Sequence, residues 1–147
     1  MRAFTTSRQR GTAIIEFALV LPLLVLMSIL VVEIGRAMYQ YNALAKSVRD
    51  AARYLSMQLP NTQVAEAKNL VVFGNPGGTG TPLLPGLNIA AHVPDPTWQD
   101  AGADPVIHTV TIQVSNYSFQ SMFTNVFGVN FPALQFSAIQ ATMRSPS

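Results

Sequence analysis

The sequence predicts an α+β protein, with a long N-terminal transmembrane and amphipathic helix packed on a small, mainly antiparallel sheet of about three strands. Three observations carry this. Thr12 to Val32 is a nearly unbroken apolar run. From Ile34 to Leu55, apolar residues recur at helical spacing. After a turn-rich stretch, three segments show a period of two.

The apolar run covers about 21 residues, or about 31 Å of helix, against a hydrocarbon core of about 30 Å. Glu16, Pro22 and Ser28 interrupt it. Arg2, Arg8 and Arg10 precede it and Glu33 follows it, so the positive-inside rule puts the N-terminus in the cytoplasm and the chain after residue 33 outside. A cleavable secretory signal would have an apolar stretch of about 7–15 residues followed by a small-residue cleavage site. This run is longer, and no such site follows it. Glu16 is its costly member. A carboxylate at the bilayer centre costs about 2.5–3.5 kcal/mol, less near the interface, so Glu16 needs a partner or a role.

The helix is expected to continue past the membrane. Ile34, Ala37, Met38, Tyr41, Leu44, Ala45, Val48, Ala51, Ala52 and Leu55 form one face, and Arg36, Gln40, Lys46, Arg49, Asp50 and Arg53 the other. Lys46 with Asp50, and Asp50 with Arg53, have the spacing of helix-surface ion pairs. The reading is one helix from Thr12 to Met57, ended by Pro60. It divides the chain into a basic leader (1–11), a transmembrane helix (12–32), an amphipathic continuation (33–57) and an exported α+β domain (58–147).

In that domain, Asn61 is expected to cap a helix over Thr62–Phe73 that stops at Gly74. A loop rich in glycine and proline runs from Gly74 to Pro82. Leu87–Val93 and Val106–Val114 alternate as strands. Leu134–Met143 does too, with a phase slip near Ala138 that implies a bulge or two covered faces. Between them, Phe119, Met122, Phe123, Val126 and Phe127 have helical spacing, with Ser118 as cap and Gly128 as stop. This segment either fills the gap between sheet and helix or, through Phe119, Met122, Phe123 and Phe127, forms a surface for a membrane or partner.

Charge excludes several function classes. The net charge is +2, and three arginines lie in the leader, so the chain after Gly11 carries −1. No basic patch remains for nucleic acid. Without cysteine there are no disulfides or thiolate metal sites. His92 and His108, the two histidines, rarely suffice for zinc. His108 falls on the apolar face of its strand, where a hydrogen-bonded edge or core histidine is the default. Asp95, Asp100 and Asp104 share a loop with Trp98 but lack the ligand spacing of a calcium loop. Gly77–Thr81 lacks the lysine of a phosphate loop, and no serine lies in a nucleophile elbow. The expectation is a protein without catalytic residues, metal, cofactor or small-molecule substrate.

Arg10-Gly11-Thr12-Ala13-Ile14-Ile15-Glu16-Phe17 resembles the processing site of type IV prepilin-like proteins. There a basic leader ends in glycine and the mature helix carries glutamate fifth. From Gly11 to Tyr54 the chain resembles the TadE-like family more closely, through Glu16–Pro22, Glu33-Ile34-Gly35-Arg36-Ala37, Asn42-Ala43-Leu44 and Asp50-Ala51-Ala52-Arg53-Tyr54. The resemblance implies a minor pilin or pseudopilin of tight-adherence (type IVc) pili, acting in pilus assembly or initiation. Its partners would be the bacterial inner membrane, a prepilin peptidase cutting between Gly11 and Thr12, and other pilins or assembly components. It would be single-pass with a periplasmic domain, or would enter the extracellular pilus. Phe17 departs from the tyrosine usual in the short major pilins, which favours the minor role.

On that implied cleavage, Thr12 gains an ammonium one turn from Glu16. The carboxylate then pairs with its own or a neighbouring chain's amine and sets register, with small net stabilisation after desolvation. The alternative is an uncleaved, membrane-tethered periplasmic binding module of a secretion apparatus, with Glu16 snorkelling or paired with Arg10.

Overall fold

The computed structural model describes residues 8–145, with side chains from Gly11 onward. The protein is α+β. Helix α1 runs over Arg8–Leu55, with Pro22 inside it. It is long and apolar enough to cross a membrane, and its most apolar window buries no residue. It ends two residues before the expected Met57, where Met57 N–H donates to the Tyr54 carbonyl and Gln58 N–H to that of Leu55.

The chain forms two compact units: residues through Arg36 with Ser121–Pro132, and Ala37–Gln120 with the chain from Ala133. The second holds the core. Leu44, Val48, Ala51, Ala52 and Leu55 of α1 are 0–1% exposed, and they cluster with Ala67, Val71 and Val72 of helix α2 (Val64–Phe73). Val110, Ile112 and Val114 of strand β2 (Ile107–Val114) complete the cluster, on the alternating face expected of that strand. The stripe expected from Ile34 is open at Ile34, Met38 and Tyr41. Gln40, expected on the polar side, is buried instead, and the Tyr117 hydroxyl reaches its Oε1 at 3.1 Å. A polar side chain tolerates burial when its hydrogen bond is made.

Helix α2 begins two residues later than expected. Asn61 has φ 62° and serves the preceding turn rather than a cap, and Gln63 at the N-cap position makes no side-chain capping bond. Gly74 ends it as expected, with its N–H on the Leu70 carbonyl. Leu87–Val93 is a correction. It contains the short helix α3 (Ile89–His92), capped by Asn88, whose side chain accepts from Ala90 N–H. A seven-residue apolar run does not separate strand from helix by period, and the asparagine decided it.

The main sheet has the order β1–β2–β7, all antiparallel. Strand β1 (Thr97–Ala101) includes Trp98 and Asp100, which the sequence reading placed in a loop. Strand β7 (Ile139–Arg144) is separate from β6 (Leu134–Gln135). The phase slip near Ala138 is thus a break between two strands. β6 pairs with β3 (Ser118–Phe119) and β7 with β2.

The helix expected around Phe119–Phe127 is absent. Strands β4 (Asn125–Val126) and β5 (Val129–Asn130) form a two-residue hairpin there. Phe127 (φ 50°) and Gly128 (φ 82°) both take positive φ, the signature of a type I′ turn. Gly128 is needed for the turn; the helical spacing of the aromatics is incidental to it.

Candidate functional site

Two groups of residues stand out: the predicted site at the start of α1, and a set around Glu33 to which the sequence reading gave no role. Gly11 and Thr12 lie inside α1, and their side-chain positions are open. A Cβ added at Gly11 would meet nothing within 4 Å, so no packing demand accounts for glycine there. Glu16 follows on the same helix face as Thr12, about 6 Å along the axis. Its side chain is exposed. Arg2 lies outside the described residues, as do the side chains of Arg8 and Arg10.

The second group surrounds Glu33, which is 5% exposed at the end of the apolar run. Its Oε1 accepts from Arg36 Nη1 at 2.8 Å and from the backbone N–H of Met122 at 3.3 Å. Its Oε2 is buried without a hydrogen-bond partner. One carboxylate oxygen therefore fastens Ser121–Pro132 to the helix. The stripe on that side, Leu26, Ile29, Glu33 and Arg36, is the part of α1 between residues 11 and 36 that is not fully open. The sequence reading did not single out the Glu33–Arg36 pair, although its i, i+3 spacing allows it, and nothing local signals Met122, 89 residues further on.

The four residues expected to form a partner surface separate. Met122 is 71% and Phe127 66% exposed, with Phe123 at 38%. Phe119 is 1% exposed, so it is a core residue and not part of that surface. In β3 it pairs with Leu134, and strand alternation turns it inward.

The remaining polar groups of the second unit are structural. The Tyr117 hydroxyl lies 3.1 Å from both Gln40 Oε1 and the Pro85 carbonyl, and burial raises its pKa above the ordinary 10.0. His108 Nδ1 meets Asp100 Oδ1 at 2.6 Å across the β1–β2 pair, at the half-open edge of the expected face. Lys68 pairs with Asp95. Asp95 and Asp100 are thus engaged separately, and the described residues include no group of three metal-ligating side chains. Lys46 and Asp50 line an open groove with Leu70 and Leu83 instead of closing an ion pair.

The chemistry concentrated on α1 is thus not that of an enclosed pocket. It is an exposed carboxylate in an apolar segment and a second, buried one where that segment ends. Residues 11–53 match the model of the TadE-like protein family. The TadE-like segment takes in Gly11, Thr12, Glu16, Glu33 and Arg36, and points to a membrane-associated protein of Tad pili. It stops short of the sheet. No curated protein and no solved structure matches the chain.

Proposed function

We propose that the protein is a non-enzymatic minor pilin or pseudopilin of a tight-adherence pilus, anchored by α1 in the inner membrane with its second unit in the periplasm. A prepilin peptidase removes the leader between Gly11 and Thr12, and the new Thr12 ammonium pairs with Glu16 of the same or a neighbouring chain during assembly. The observation that carries this is the continuous TadE-like match over one helix, from Gly11 through the exposed Glu16 to Arg53. Glycine inside a helix costs about 1 kcal/mol relative to alanine. With no packing reason for it, Gly11 fits recognition and local unwinding at a scissile bond. Glu16 lies open to a partner from an adjacent helix.

N-terminal sequencing of the protein from piliated cells is expected to begin at Thr12. An intact Met1 chain in cells with active peptidase overturns the cleavage and leaves the tethered binding module. Glu16→Leu is expected to insert normally and to reduce pilus assembly; normal piliation removes the pairing role.

A further inference from the structure

We propose that the β4–β5 hairpin, with Met122 and Phe123 at its base, is a second membrane-docking element, resting in the headgroup–acyl boundary of the bilayer that α1 crosses. This rests on the reading of α1 as a membrane anchor.

The hairpin and the apolar segment belong to one compact unit. Met122 N–H is bonded to Glu33, the first residue after the apolar run. The half-covered Leu26 and Ile29 continue that side of the helix back into the run. From Leu26 to the end of the run is about 9 Å of helix axis, which is within the depth of about 5–10 Å that interfacial elements occupy. The base of the hairpin is therefore level with the end of the apolar segment.

Its composition suits that layer. From Val106 to Met143 there is no Asp, Glu, Lys or Arg. Met122, Phe123, Phe127 and Val129 are exposed, all on or at the base of the hairpin. A surface for a protein partner often carries a charged rim; here the hairpin's own polar side chains are uncharged, and Glu33 and Arg36 at its base are paired with each other.

Backbone entering a bilayer edge must satisfy its own polar groups. Strands β4 and β5 pair with each other, and Phe131 N–H donates to the Thr124 carbonyl. Gly128 N–H donates to Asn125 Oδ1, and Asn125 Nδ2 donates to Asn130 Oδ1 at 2.7 Å. The asparagines, the most polar side chains of the hairpin, thus bond to each other and to the turn.

The chain has no cysteine, so a single introduced one carries a probe uniquely. Full-length Phe127→Cys and Met122→Cys would each be labelled with an environment-sensitive fluorophore and reconstituted into phosphatidylcholine liposomes. The lipids would carry nitroxides either near the headgroup or near the acyl terminus. Both labels are expected to be quenched more by the shallow nitroxide than by the deep one. Leu24→Cys, in the apolar run, marks insertion, and Thr81→Cys marks an exposed loop. If Leu24→Cys is quenched while the labels at 122 and 127 behave like Thr81→Cys, the hairpin does not touch lipid and the inference falls with the anchor intact. If Leu24→Cys is also unquenched, the anchor reading and the inference fall together.

Discussion

Residues 11–32 and residues 40–55 of α1 have the same backbone and opposite relations between apolarity and burial. In the first stretch Leu19 is 75% and Ile14 69% exposed, although almost every residue is apolar. In the second, apolar residues are confined to a stripe, and Leu44 and Val48 are 1% and 0% exposed. Water would penalise the first by about 25 cal/mol per Å² of apolar surface left uncovered. Density of apolar residues therefore marks the stretch fit to cross a membrane, while their periodicity marks the stretch that packs.

The comparison breaks first at the core. Leu55→Ala is expected to destabilise the domain by about 2–5 kcal/mol in denaturant titration, whereas Leu23→Ala, at an exposed position, should leave the same midpoint unchanged. Equal effects would mean that the apolar run is itself part of a packed core.

The polar member of the buried stripe comes next. Tyr117→Phe leaves the buried Gln40 amide without its partner, an expected cost of about 1–2 kcal/mol. Burial raises the folded-state pKa of Tyr117, so the unfolded chain ionises first. Below about pH 10 this has no effect; as pH rises further, towards the folded pKa, stability falls. Tyr117→Phe should lack that part of the alkaline loss in titrations repeated across the range.

A smaller effect tests the first unit. Glu33→Ala removes the acceptor of Met122 N–H and should speed hydrogen exchange in residues 121–132 roughly fivefold, equivalent to about 1 kcal/mol. Glu33→Gln keeps an acceptor and should change less. Smallest of all, Lys68→Ala removes an ion pair whose carboxylate is 82% exposed, and less than about 0.5 kcal/mol is expected, shrinking with salt.

The helix, the face of β2 and the stop at Gly74 were legible because each is written in local spacing or in a single glycine. Strand β1 was not, since Thr97-Trp98-Gln99-Asp100-Ala101 lacks alternation and owes its state to pairing with β2. The β4–β5 hairpin imitated a helix because aromatic residues three and four apart satisfy that template by coincidence, while Phe127–Gly128 held the turn signal. At the candidate site, Gly11, Thr12 and Glu16 were legible as a spacing. The fastening of Met122 to Glu33 was not, because a backbone donor leaves no trace in side-chain identity.

Pro22 gives α1 a mechanical property. It has no N–H to offer the Ala18 carbonyl, so one rung of the ladder is missing inside the apolar run. Bending stiffness is lowest at that rung. The piece that carries Glu16 and the piece that ends at Glu33 thus behave as two rods on a compliant joint. The Glu16 end can therefore tilt independently of the Glu33 end, which keeps its hairpin.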